Sequence, residues 1–161
     1  MAPEIKSYSW DDLTQLASSV CERIKNSGYM PECLISILRG GIFPGLLLSH
    51  TLEVRNLFAV SISTTDNEDI RAPRHLPKVE SYFDNKNILI GKKIILIDDV
   101  VNTGKTMEEC CHYFLNLGVH EIKTACLVRD TYSEGAEDNR LFQVDYVGET
   151  IPFWAKFPWE T

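Results

Sequence analysis

The run Ile94-Ile95-Leu96-Ile97, followed by Asp98-Asp99-Val100-Val101-Asn102-Thr103-Gly104-Lys105-Thr106, constrains the fold more than any other stretch of the chain. Four consecutive aliphatic residues leave no polar face, as expected of a strand covered on both sides in a parallel sheet. The run breaks at two adjacent carboxylates and a small polar turn. Gly104 to Leu117 then sets Met107, Cys110, Cys111, Phe114 and Leu117 on one helical face. Strand, loop, helix is the repeating unit of an α/β sheet, and open sheets of this kind bind ligands beyond the C-terminal ends of their strands.

The same unit recurs along the chain. Ser9 to Asn26 opens with a capping pattern, Ser9 then Asp12, and places Trp10, Leu13, Leu16, Ala17, Val20 and Ile24 on one stripe. Cys33 to Leu38 reads as a short strand ending in Arg39-Gly40-Gly41, and Ile42 to Leu52 is long enough for a helix. Leu57 to Ile62, Ile122 to Val128 and Phe142 to Val147 bring the count to about five strands. The predicted fold class is α/β, a parallel sheet flanked by helices, with a small hood from the chain ends over the C-terminal edge of the sheet and residues 148–161 as its C-terminal segment. Asp66 to Lys93 mixes charges, contains two prolines and shows no sustained period, so residues 66–93 are expected to form a flexible lid. The tail IPFWAKFPWET, aromatic and rich in proline, is not expected in the sheet core.

With 161 residues and 44% apolar composition, the chain has material for one core, and residues 1–161 are expected to form a single domain. A net charge of −7 argues against non-specific nucleic-acid binding, which draws on Lys and Arg meeting phosphates. No apolar run approaches the roughly 18 residues of a membrane span, and the N-terminus is too polar and acidic for a signal peptide. A cytoplasmic protein is expected. Cys21, Cys33, Cys110, Cys111 and Cys126 have no CxxC spacing and read as reduced core thiols. His50, His75, His112 and His120 lack ligand spacing and read as surface or packing residues.

The turn after Asp98-Asp99 has the chemistry of a phosphate site. Backbone N–H groups at a helix N-terminus carry partial positive charge, Gly104 permits close approach, and the Thr103 and Thr106 hydroxyls can donate further bonds. Asp98 and Asp99 are acceptors suited to sugar hydroxyls, and one of them also to a magnesium-bound water. The competing reading is that the acidic pair merely ends a strand and Thr103 merely caps a helix. A Walker P-loop is excluded: GxxxxGK[ST] requires glycine at position 99, which is Asp99.

This strand, acidic pair and Thr-Gly turn resemble the signature of the type I phosphoribosyltransferases, closest to the xanthine-guanine and hypoxanthine (6-oxopurine) group. The resemblance implies that Asp98 and Asp99 bind the ribose hydroxyls of 5-phosphoribosyl pyrophosphate (PRPP), and that Val100, Val101 and Asn102 through Thr106 complete the PRPP loop. Leu38-Arg39-Gly40-Gly41-Ile42-Phe43-Pro44-Gly45 resembles the family's pyrophosphate loop, with Leu38, Arg39 and Gly40 contacting the leaving group. The tail resembles the Trp-x-x-x-Pro-Trp-acidic ending of the xanthine-guanine group, which implies base stacking on Trp154 and backbone readout by Ala155. Trp154 and Trp159 could instead only pack the tail onto the body. Arg129 stands where the family has a lysine at the purine O6. The implied catalytic set is Asn102, Arg39, Asp98 and Asp99, with Mg2+ as cofactor held at Asp99, PRPP and a nucleobase as ligands, and a homo-oligomeric assembly.

The implied base half departs from the family pattern. Asn102 occupies a position usually aspartate, and an asparagine cannot act as a base toward the purine N7. Arg129 keeps the charge of lysine but presents a rigid fork. Ser63-Thr64-Thr65 replaces a common Ser-Tyr pair. The sequence-based reading is therefore transfer of phosphoribose to a 6-oxopurine in purine salvage. The alternatives are a PRPP-binding regulatory protein, or a phosphoribosyltransferase for adenine or a pyrimidine.

Overall fold

Ser9 starts the first long helix as its spacing requires. Its side chain accepts from the Asp12 N–H while the Asp12 carboxylate accepts from the Ser9 N–H, a reciprocal capping box. In the computed structural model, which describes residues 4–65, 74–81, 86–131 and 142–160, the elements run β1 (Ile5–Ser7), α1 (Trp10–Ser27), β2 (Cys33–Leu38), α2 (Ile42–Thr51), β3 (Leu57–Thr65), β4 (Arg74–Ser81), β5 (Lys93–Val101), α3 (Lys105–Leu117), β6 (Glu121–Asp130), β7 (Tyr146–Ile151) and β8 (Trp154–Lys156).

Among the described residues, six strands form one sheet in the order β4-β3-β2-β5-β6-β7, and β1 pairs with β8 in a second, two-stranded sheet. The five strands expected from the sequence are mutually parallel, and β4 joins the edge antiparallel to β3. Leu13, Ala17, Val20 and Ile24 of α1 and Leu48 of α2 bury against Leu34, Ile95, Ile97 and Leu127 on one face. Met107, Cys110 and Phe114 of α3 bury against Ile35, Ile37, Ile94 and Leu96 on the other. Strand residues alternate between the two clusters because successive side chains point to opposite faces.

Three expectations need correction. β5 does not end at Ile97 but continues through the acidic pair to Val101, since Asp98, Val100 and Val101 still pair with Cys126, Val128 and Arg129. The strand expected over Phe142 to Val147 begins only at Tyr146 and runs to Ile151. Asp145 sets that start: its carboxylate accepts from the N–H (2.8 Å) and hydroxyl (2.9 Å) of Thr124, taking the place of a ladder bond. Within the expected lid, 74–81 is the edge strand β4 and Lys86–Leu89 is a 3-10 turn with Leu89 fully buried. Pro77 masked this strand in the sequence, and proline is tolerated at a sheet edge. The remainder of the lid, 66–73 and 82–85, lies outside the described residues.

The strand order positions the site. From β2 the chain crosses by α2 to β3 on one side, and from β5 it crosses by α3 to β6 on the other. The boundary between β2 and β5 is thus the topological switch point, where two diverging loops leave a crevice at the C-terminal edge.

Candidate active site at the switch point

Two loops flank that crevice. The first, after β2, is Arg39-Gly40-Gly41, and its Leu38–Arg39 peptide is cis. Gly41 leads into α2, and a Cβ there would strike the backbone carbonyls of Ile37 on β2 and Ile97 on β5. Gly40 lies against the Asp99 carboxylate so closely that any Cβ would collide with it. Both glycines are therefore required by close approach rather than by an unusual φ. Arg39 itself is exposed.

The second loop, Asn102-Thr103-Gly104, follows β5. Gly104 is left-handed (φ 80°) and a Cβ on it would meet Phe142. No side chain caps α3, and Lys105 N–H lies 3.5 Å from the Thr103 hydroxyl, so the first N–H groups of the helix are open to an anion. Asp98 and the residues Val100 through Met107 line a recess of about 170 Å³ at this helix end.

Asp98 and Asp99 do not share one recess. Asp99 instead lines a larger cavity of about 780 Å³ with Arg39, Gly40, Trp10, Phe43, Trp159 and Glu160, and Ile42 and Leu46 complete its rim. The separation follows from strand geometry, since adjacent side chains leave a strand on opposite faces. The acidic pair thus joins two compartments, a helix-end recess and a larger cavity bordered by a guanidinium.

Burial pushes the Asp98 carboxyl well above its usual range, and the neighbouring Asp99 charge pushes it further. Burial also raises Asp99, and the Glu160 charge adds to the rise. Hydrogen bonds, including that from the Val100 N–H (2.7 Å), pull the other way. Charges held at such cost suit a site that receives hydroxyl donors or a cation.

Glu160 is the residue whose place at the site the sequence reading missed. A tight turn holds it, with Phe157 N–H donating to its carboxylate (2.9 Å) and Glu160 N–H donating to the Phe157 carbonyl (3.0 Å). The turn is pinned by aromatic contacts: Trp159 stacks on Phe157 at 4.9 Å and meets Trp10 at 5.7 Å and Phe43 at 5.6 Å. Trp159 therefore packs the tail onto α1 and α2, the structural role allowed for it from the sequence. Its acidic neighbour was visible in the tail, but nothing in the spacing says that the chain end returns to the switch point.

None of the residues expected at the base lines either cavity, although Arg129 pairs with Val101, which lines the recess at the start of α3. Arg129 is buried near the end of β6, Trp154 is half-exposed on β8, and Ala155 is buried beside it. β6 and β8 are in contact, which puts Arg129 and Trp154 on neighbouring elements. β8 is held by β1, with Trp154 N–H donating to the Glu4 carbonyl and Tyr8 N–H to the Lys156 carbonyl. The cysteines are free thiols. Cys21, Cys33, Cys110 and Cys126 are buried and Cys111 is half-buried, and burial raises Cys111 to about 11, far from a reactive thiolate. No helix among the described residues is long and apolar enough to cross a membrane.

The hypoxanthine-guanine-xanthine phosphoribosyltransferase of Plasmodium falciparum is 26% identical over 154 residues, which cover 87% of this chain and 61% of that protein. The chain thus spans less than two thirds of that relative's length. The purine phosphoribosyltransferase of Pyrococcus horikoshii superposes with a TM-score of 0.78 at 27% identity, covering 98% of this chain and 95% of that one. A hypothetical protein from Neisseria gonorrhoeae, solved with bound ppGpp, superposes at 0.82 over 100% of this chain and 92% of its own, and at 22% identity speaks for the fold alone. The phosphoribosyl transferase domain matches residues 9–161, nearly the whole chain and both loops of the switch point, and the chain belongs to that family.

Proposed function

We propose that the protein transfers the 5-phosphoribosyl group from PRPP to a 6-oxopurine, releasing pyrophosphate, as a cytoplasmic enzyme of purine salvage. The observation that carries this reading is the pair of loops after β2 and β5, joined by Asp98 and Asp99 across the switch point. The open end of α3, with Thr103, Gly104, Lys105 and Thr106, suits the 5-phosphate. Asp98, beside it, suits the ribose hydroxyls. Arg39 and the N–H of Gly40 suit the departing pyrophosphate, while the Gly41 N–H donates to the Ile37 carbonyl (2.9 Å) and holds the loop to β2.

In the reaction a base nitrogen attacks the anomeric carbon as the bond to pyrophosphate breaks, and positive charge develops on the ribose. The protein contributes mainly by holding the two reactants in line and by stabilising the leaving charge with Arg39. The carboxylates of Asp99 and Glu160, lining one cavity and close enough for Glu160 to raise Asp99, fit Mg2+, which takes one or two carboxylates together with substrate phosphates. Bound there, the ion would supply positive charge to the pyrophosphate. Arg129 is a donor suited to a purine O6, and Trp154 offers an aromatic face wide enough for the base. Of the segment 66–93 expected as a lid, β4, the buried Leu89 and Lys93 belong to the body of the fold, so the water-excluding role is proposed only for the rest.

A second reading, a PRPP-binding regulator, is favoured by Asn102, which cannot take a proton from the base. Incubation with PRPP, Mg2+ and a panel of bases, with pyrophosphate as the readout, separates the two. The expected result is pyrophosphate release with hypoxanthine, guanine or xanthine. Asn102→Asp should raise that rate about tenfold or more, part of the roughly 10²–10⁴ of a general base. PRPP binding without release for any base, in either form, would favour the regulator. Release with only adenine or a pyrimidine would overturn the 6-oxopurine assignment.

A further inference from the structure

Ile5 and Trp154 stand side by side. They are register partners in the parallel pair of β1 and β8, so their side chains leave this small sheet on the same face, and they are 56% and 49% exposed. The opposite face is committed to the body of the fold. Ala155 is buried in the core cluster under α1, and its register partner Lys6 donates to Glu149 of β7. The face that carries Ile5 and Trp154 is therefore the open one.

The main chain at position 5 is held from both sides. The Glu4 carbonyl accepts from the Trp154 N–H (3.0 Å), while Tyr8, at the end of β1, is buried, stacks on Phe157 at 5.7 Å and donates to Glu149 (2.8 Å). Ile5 thus combines a fixed backbone with an uncovered aliphatic side chain, the condition of a preorganised contact residue. We infer that Ile5 contacts the base beside Trp154, widening the aromatic surface into an apolar shelf that a bicyclic purine covers more fully than a single-ring pyrimidine. This rests on the reading of Trp154 as the stacking residue. Arg129 on β6, an element in contact with β8, supplies the polar end of the same surface, and Ile5 on β1 the apolar one. A purine seated there removes apolar surface of both side chains from water, and that shared burial is the source of the selectivity.

Two variants separate contact with the base from support of the strand. Ile5→Thr keeps the β-branch that strands favour and loses apolar surface, whereas Ile5→Leu keeps the surface and loses the branch. In calorimetric titration with inosine 5′-monophosphate, Ile5→Thr should bind about fivefold more weakly than wild type, and Ile5→Leu within about twofold of it. PRPP with Mg2+ should bind all three proteins alike. Thermal melts should coincide, because the side chain is more than half exposed. In turnover with hypoxanthine the loss in Ile5→Thr should appear in KM and not in kcat. Inosine monophosphate affinity that is equal in all three, or that falls as far in Ile5→Leu as in Ile5→Thr, would overturn the inference and leave the phosphoribosyl-transfer reading standing. A wild type that binds PRPP but no purine nucleotide would overturn both.

Discussion

Asp98 and Asp99 are neighbours in the chain and occupy different compartments, the recess at the start of α3 and the cavity of Arg39. Both carboxyls are raised by burial, so the fold stores unfavourable charge at its ligand site. For Asp98 the sign is definite. A pKa raised on folding contributes stability below the unfolded carboxylate range and loses it as pH rises through the folded value, so Asp98 makes the fold less stable at neutral pH than in acid. Asp98→Asn keeps an acceptor for the Asp99 N–H (3.0 Å) and removes the charge. It is expected to stabilise the ligand-free protein by about 0.5–2 kcal/mol at pH 7, a rise of a few degrees in Tm, with the gain vanishing near pH 3. PRPP affinity should fall in the same variant. Thermal melts at both pH values and calorimetric titration with PRPP read the two effects, and a variant less stable than wild type at pH 7 would show that the charge is not the cost it is argued to be.

At the scale of elements, the pyrophosphate-side loop depends on how closely α2 sits on the sheet. Gly41 enters α2 with an ordinary φ of −66°, and it must be glycine because the carbonyls of Ile37 and Ile97 leave no room for a Cβ on either side. Gly41→Ala must lift the start of α2 from β2 and β5. Overpacking of this kind costs about 1–3 kcal/mol, and it would move Arg39 and Gly40 with it. The expected outcome is a lower denaturant midpoint and weaker PRPP binding, while an unchanged midpoint would mean that the strand ends yield easily. Elements whose pattern is internal were legible in the sequence: α1 from its cap and stripe, β2 and the body of β5 from unbroken aliphatic runs. β4 and the start of β7 were not. β4 borrows its regularity from β3, and β7 waits on the clamp between Asp145 and Thr124, a partner 21 positions away.

Across the whole molecule, the two chain ends meet. β1 lies parallel to β8, and Glu149 of β7 accepts from Lys6 Nζ and Tyr8 Oη at 2.5 and 2.8 Å. Burial alone would raise the Glu149 carboxyl, but these two bonds and the Lys6 charge overcome it and hold the group below its ordinary 4.5. A depressed pKa contributes stability above the unfolded value that is lost as pH falls through the folded one. Glu149→Gln should therefore cost about 1 kcal/mol or less at pH 7, reduced by solvent screening at a partly exposed pair, and the gap to wild type should close below about pH 4. Denaturant titrations at pH 7, 4 and 3 measure it, and a gap that stays constant down to pH 3 would assign the effect to packing.

The sequence by itself determined the chemistry available at the switch point. A buried strand leading into two carboxylates and a Thr-Gly turn, and a second leading into Arg-Gly-Gly, are short local patterns whose geometry depends on little beyond their own residues. Those patterns named Arg39, Asp98, Asp99 and the turn through Thr106. Tertiary structure decided what they face. Strand alternation sent the two aspartates to separate compartments, the crossovers of α2 and α3 in opposite directions opened the crevice between β2 and β5, and the aromatic contacts of Trp159 with Trp10 and Phe43 brought Glu160 back to Asp99. Such contacts join residues more than a hundred positions apart, and no local period encodes them, because their energy comes from burial shared between elements that the chain brings together only once folded.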